Sequence, residues 1–224
     1  MDMTSRDGVV LVISPRARRM SLRVDIARSC VVLVRPKRAS DGVVAAFLAD
    51  KQGWIERQLA HLPPRTHFSD GARISILGID HTVVAHPSAR RGVWREGATI
   101  FVSGTAEHFS RRFKDWLKEE ARTDFAAWAR DFAARLNVKV THVSVRDTKA
   151  RWGSCTRAGR LSLSWRLMFA PRDVAAYVVA HEVAHLKHMN HSKAFWAVVE
   201  SLTGNIKTPR AWLRRHGASL HGYV

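Results

Sequence analysis

His181-Glu182-Val183-Ala184-His185 is the stretch on which the reading of this chain turns. On an α-helix, residues four apart lie nearly above one another, so imidazoles at 181 and 185 can grip one ion. Glu182 sits about 100° round such a helix. From there it can reach a water on the metal without becoming a ligand. Two ligands and one general base are what metal-assisted peptide hydrolysis needs. The plain alternative is two core or surface histidines beside a solvated glutamate.

The flanking residues support a helix. Pro171 suits a first helical turn, where a missing N–H costs nothing. Asp173 places negative charge where the helix dipole favours it. Val174, Tyr177, Val178, His181 and His185 recur at three-or-four spacing, which puts the histidines on the apolar face.

A catalytic zinc takes a third protein ligand and leaves one position for water. His191 is the choice. A straight helix would carry it about 240° away from His185, so the chain must turn between them. Asn190 tolerates the left-handed conformation expected there. Ser192 can then cap a new helix with Phe195, Trp196, Val198, Val199 and Leu202 as its apolar positions. His188 and Glu200 are the rivals. His188 is seven residues beyond His181, a turn too far along the same stripe, and Glu200 lies one helix later.

These residues resemble a known family. Arg151-Trp152-Gly153-Ser154-Cys155, then His181 through Ser192, then Phe195-Trp196, are similar to the YgjP-like metallopeptidase domain, itself related to SprT-like and WLM zinc peptidases. Weaker matches are Arg16-Ala17-Arg18-Arg19 before a strand, Pro36 after the next, and Trp54-Ile55 in the first helix. The resemblance implies one zinc per chain on His181, His185 and His191, Glu182 as the catalytic glutamate, and a protein or peptide substrate. The 181-to-191 spacing is also that of the metzincins, but His188 stands in place of their glycine. Some SprT-like relatives cleave proteins attached to DNA, and relatives in this family lie near DNA restriction systems.

Residues 151–155 are expected to line the cleft, with Arg151, Trp152 and Gly153 as candidate substrate contacts. Peptidase substrates commonly pair along a sheet edge. The plain reading has Trp152 filling the core and Arg151 bracing the helix. Val138–Val145 and Arg160–Arg166 alternate as strands do, and Gly153 between them permits a turn or bulge. Cys155 reads as a small buried thiol. Tyr177, Arg151, His216 and Tyr223 are candidates for an oxyanion partner, unranked.

Composition bounds the rest. The 224 residues, 46% of them hydrophobic, suffice for one large domain or two small ones. Cys30 and Cys155 are the only cysteines, which points away from a disulfide framework and towards a reducing compartment. The N-terminus carries Asp2, Arg6 and Asp7, and its apolar run Val9–Ile13 is too short for a signal-peptide core. No run approaches the roughly 18 residues of a membrane span. A cytoplasmic protein with no membrane partner is expected, and nothing bears on oligomeric state.

Lys and Arg number 37 against 19 Asp and Glu, a formal charge of +18. Such a balance attracts polyanions by counterion release. Yet arginine outnumbers lysine 28 to 9 beside abundant alanine and valine, as GC-rich coding also produces. The clusters Arg16-Arg18-Arg19, Arg35-Lys37-Arg38, Arg90-Arg91, Arg111-Arg112 and Arg214-Arg215 are scattered. A solvated basic surface is the plainer reading; weak, non-specific DNA binding is the alternative. With it goes a second function class, a basic nucleic-acid-associated module whose metal site is structural or vestigial.

The expected fold class is α+β. A β-rich N-terminal region, 1–104, has strands at Val9–Ile13, Ser21–Ile26, Val31–Val34, Ile74–Leu77, His81–Ala85 and Thr99–Val102. Its one helix runs from Ser40 or Asp41 to about Leu59 and is closed by Pro63-Pro64. A zincin-like metallopeptidase domain, 105–224, opens with a long helix from about Ala106 to Leu136. Residues 86–97 are expected to form a mobile loop, and no internal repeat is visible.

Overall fold

A run of β-branched and aliphatic residues between positions 9 and 36 builds the first sheet. The computed structural model describes residues 5–6, 8–62 and 64–224; Asp2, Asp7, Pro63 and the side chain of Arg6 lie outside it. Strands β1 (Ser5–Arg6), β2 (Val9–Ser14), β3 (Ser21–Asp25) and β4 (Cys30–Pro36) stand in the order β1-β2-β4-β3. β2 and β4 are parallel, from Val9 opposite Val31 to Ser14 opposite Pro36, and β3 lies antiparallel on β4. Val31, Val32 and Leu33 are wholly buried, as a strand covered on both faces requires. Helix α1 (Asp41–Ala60) starts where the Ser40 hydroxyl accepts the Val43 N–H, and it ends at Ala60 with His61 as its C-cap.

The second sheet holds β5 (Arg73–Ile76), β6 (Ile79–His86), β7 (Val93–Glu96) and β8 (Thr99–Ser103), in the order β5-β6-β8-β7. β7 corrects the expected loop at 86–97. Val93–Glu96 pair antiparallel with β8, and Trp94 stacks on Phe101 at 5.2 Å. Helix α2 (Ala106–Leu136) follows. It buries Phe109, Phe113, Leu117, Ala121, Phe125, Ala129 and Ala133, an unbroken i, i+4 row. That row drifts about 40° per step, so it winds round the helix and meets different partners along its length. Asn137 closes the helix in the left-handed conformation, φ 51°.

The third sheet is small: β9 (His142–Arg146), β10 (Gly153–Cys155) and β11 (Arg160–Ser164), ordered β10-β11-β9. The strand expected to start at Val138 starts at His142. The alternation over 160–166 breaks at Ser164, where Trp165–Phe169 coil into a buried 3₁₀ turn. Arg166 in that turn is 4% exposed and donates to the Asp147 carboxylate at 2.7 Å and to the Leu220 carbonyl at 3.1 Å. Helices α3 (Arg172–Ala184), α4 (Lys193–Thr203) and α5 (Lys207–His216) follow, and a 3₁₀ segment at Gly217–Gly222 comes after them, so that the described residues hold five α-helices and three small sheets.

The three sheets repeat one plan. In each, two strands pair in parallel (β2 with β4, β6 with β8, β9 with β11), the strand between them in sequence packs antiparallel on the later one, and a helix follows. No sequence repeat announces this.

Two compact units result. One comprises the residues up to Thr66 with His221–Val224, and the other spans His67–Leu220. The boundary expected near 104 therefore falls inside the second unit. The physical reason is α2, which packs on β8 and β7 as well as on α3 and β9. No helix among the described residues is long and apolar enough to cross a membrane.

Candidate metal centre

α3 presents its chemistry from an unusually buried helix. Pro171 is its N-cap, one residue outside the first turn where it was expected. Val174, Ala175, Tyr177 to Ala180 and Glu182 to Ala184 are all buried, so the helix is covered nearly all round. It stops at Ala184, with His185 as C-cap at φ −61° and ψ −22°. The chain then coils tightly: Leu186 N–H donates to the Val183 carbonyl, and Lys187 and His188 N–H to that of Ala184, at 3.0–3.1 Å.

The reversal before His191 does not use a left-handed Asn190, because that conformation is confined to Ser29, Leu77 and Asn137 among the described non-glycine residues. The side chain of Asn190 does the work instead, its Oδ1 accepting the Ser192 N–H at 3.4 Å. Ser192 then caps α4 as its position suggests, its hydroxyl accepting the Phe195 N–H at 3.3 Å.

His181, His185 and His191 come together: each offers a nitrogen, and these atoms lie within 4.8 Å of one another. His181 Nε2 and His191 Nε2 approach to 3.1 Å. Two nitrogens on a tetrahedral zinc at about 2.0–2.1 Å lie roughly 3.3–3.4 Å apart, so the pair is spaced for one ion. Phe195, fully buried, sits 4.6–4.9 Å from all three imidazoles and forms their apolar wall. Burial first, and then the neighbouring His185, His191 and Arg210, push the His181 pKa down to about 4. Burial likewise lowers that of His185. Both rings are therefore neutral near pH 7, with lone pairs available to a metal.

The two rivals do other things. His188 faces the centre through its backbone: its carbonyl accepts from His185 Nδ1 at 3.1 Å. That bond assigns the tautomer and leaves His185 Nε2 as the free donor atom. Glu200 is exposed on α4 and lies outside the triad.

Glu182 is 6% exposed, and burial raises its pKa to about 7, against the opposing charge of Arg151. The reason it fits is Gly153. A Cβ there would stand 2.5 Å from Glu182 Oε1 and 2.6 Å from its Cγ, so any larger residue would displace the carboxylate. Gly153 is thus neither turn nor bulge but a point of close contact on the edge strand β10. Trp152 is half-buried, 3.2 Å from where a Cβ on Gly217 would be, and Arg151 is exposed. Cys155 is half-buried, and burial first, then Glu182, raises its thiol pKa to about 11.

Of the oxyanion candidates, Tyr177 is buried with its ring 6.1 Å from His181. Arg151 acts on Glu182 by charge. The His216 ring lies tilted against Trp212, centroids 5.1 Å apart, and Tyr223 belongs to the other unit. The sequence reading missed Arg210. Its guanidinium lies 4.6 Å over Trp196, which stacks on His191 at 5.6 Å and 25°. The 207, 210, 214 spacing of basic residues was the available signal.

A family profile described as YgjP-like, metallopeptidase domain, matches residues 18–216. Among solved structures, the chain is similar to the metallopeptidase zymogen of Pyrococcus abyssi, abylysin, at 21% identity and a TM-score of 0.37, over 42% of this chain and 92% of that one. No curated protein matches.

Proposed function

The chain belongs to the YgjP-like metallopeptidase family, and from that premise we propose that it is a zinc-dependent peptidase with one zinc held by His181, His185 and His191. In this reading α3 is the active-site helix of a zincin-like domain, and Glu182 is the general base. The observation that carries it is the convergence of three imidazoles, His181, His185 and His191, beside the buried carboxylate of Glu182.

Nitrogen donors in a set of three suit a catalytic zinc, whereas a structural zinc is closed by four protein groups. Among the described residues the cluster offers three donors. That favours the peptidase over a structural or vestigial metal site. When bound, zinc supplies Lewis acidity and makes a water acidic enough to lose its proton near neutral pH.

The remaining work falls to the chain. Glu182, with a pKa of about 7, accepts that proton and returns one to the leaving amine. Gly153 leaves the space in which the carboxylate sits, and the positive charge of Arg151 keeps its pKa from rising further. His188 fixes the His185 ring through its carbonyl. β10 is the outer strand of its sheet, so an extended peptide can pair along Gly153–Cys155 beside Glu182. Arg151, Trp152 and Gly153 then belong to the substrate side of the cleft.

Metal analysis of single alanine variants tests the ligand set. His181→Ala, His185→Ala and His191→Ala are expected to lose zinc, and Glu200→Ala to keep it. Full zinc in His191→Ala together with loss in Glu200→Ala would move the third ligand to α4.

A further inference from the structure

Beside the metal centre lies a basic wall that the catalytic reading leaves unused. Lys207, Arg210 and Arg214 recur on α5 at i, i+3 and i+7, one face of the helix. With Ala211 they line an open cavity of about 460 Å³, and no carboxylate is among its lining residues. Arg210 connects this cavity to the site. Its guanidinium rests on Trp196, whose ring stacks on His191 and lies 5.6 Å from His181. Its charge is felt at both His181 and Tyr177.

A stacked guanidinium has already lost much of its rotamer freedom, and its planar fork matches a carboxylate bidentately. The three cations span about 10 Å of helix. That is the length of roughly three residues of extended peptide, a match to one or two acidic side chains rather than to a long polyanion. A peptide crossing the metal centre also brings its own side chains here.

We propose that the Lys207–Arg210–Arg214 face is a substrate subsite for aspartate or glutamate side chains flanking the scissile bond, which gives the peptidase a preference for acidic peptides. This rests on the metallopeptidase reading and adds the substrate class. Arg210 supplies the directional contact. Lys207 and Arg214, both exposed, supply attraction that salt screens.

The test uses the zinc-loaded Glu182→Gln protein, full length, so that binding is read without turnover. Two labelled peptides of equal length, one carrying Asp and Glu and the other Asn and Gln at the same positions, are titrated by fluorescence anisotropy. The acidic peptide is expected to bind at least about tenfold tighter at low salt, which is one charged contact's worth, and the gap should narrow as salt rises. Arg210→Gln, and separately Lys207→Gln with Arg214→Gln, should each shrink the gap while zinc content stays at the level of the Glu182→Gln parent.

Equal affinity for the two peptides in zinc-loaded protein overturns the subsite. So does labelled single-stranded DNA binding tighter than the acidic peptide and being weakened by the same variants, which would make the face a nucleic-acid surface. Zinc content and cleavage by the unmutated protein are measured alongside. If those fail while the acidic preference persists, the peptidase reading falls and the anionic subsite stands.

Discussion

The first and third sheets follow one plan and serve different ends. In the first, β4 is followed by α1, whose buried residues are Val44 and Ile55. Val9, Leu11, Leu33, Val44, Leu48 and Ile55 line a cavity of about 500 Å³ beside that helix. In the third, β11 leads through the buried turn Trp165–Phe169 into α3, covered nearly all round. The edge strand β10 there lies directly on a carboxylate. The difference teaches where this fold carries chemistry. A helix packed on one face leaves most of its side chains in water, as α1 does. A helix buried on all faces can hold an ionisable side chain out of water, and burial is what brings Glu182 to about 7 and His181 to about 4.

That contrast can be broken in three places. The largest effect is expected in the first sheet. Leu33 is wholly buried yet lines the cavity. Leu33→Ala should cost about 2–5 kcal/mol, measured by denaturant unfolding, with zinc content of the folded protein unchanged. Zinc loss at full stability would mean that the two regions do not differ as described.

A smaller effect, with the opposite signature, is expected at β10. Gly153→Ala pushes a methyl group into Glu182 and should lower peptide cleavage by roughly 10²-fold, about 2.7 kcal/mol of transition-state stabilisation. Zinc should stay bound, because Gly153 offers no side-chain donor. Unimpaired cleavage would show that the close contact does not position the carboxylate.

The smallest is the Asp147–Arg166 pair that braces the turn before α3. Asp147→Asn should cost roughly 1–2 kcal/mol at pH 7, as for a hydrogen bond to a buried charged group, discounted for the exposure of Asp147. Burial raises the Asp147 pKa, but the hydrogen bond and charge of Arg166 outweigh it, so the net shift is downward. A lowered folded pKa gives stability that is present above the unfolded value near 3.9 and lost as pH falls through the folded value. Thermal unfolding of both proteins should therefore converge in strong acid. A difference independent of pH would remove the ion pair from the account.

How much of this the sequence disclosed depends on the distance over which each signal acts. Local signals read well. Ser40 and Ser192 cap α1 and α4, and the i, i+4 row of α2 runs from 106 to 136. The histidine spacing anticipated a cluster that the fold closes through His191. Signals made by pairing did not read. Val93–Glu96 is four residues between glycines at 92 and 97, too short to alternate recognisably, and only β8 makes it a strand. The threefold plan of the sheets exists in strand pairing, not in residue identity. Asn190 offers two turn mechanisms, a left-handed backbone and a side-chain hydrogen bond, and the sequence does not choose between them; the fold uses the side chain. Gly153 read as a turn because its neighbour in space, Glu182, is 29 positions away in sequence. Arg210 is silent in the sequence because its meaning depends on Trp196 lying beneath it.

The central claim is that Glu182 is the base of a metal-dependent peptidase and not one of its ligands. The direct measurement compares the parent with Glu182→Gln for zinc content and for cleavage, with self-cleavage and DNA-bound basic proteins among the substrates. The account predicts equal zinc, about one per chain, and a loss of roughly 10²–10⁴-fold in cleavage. Cleavage by Glu182→Gln at the parent's rate, or loss of zinc together with activity, would contradict it.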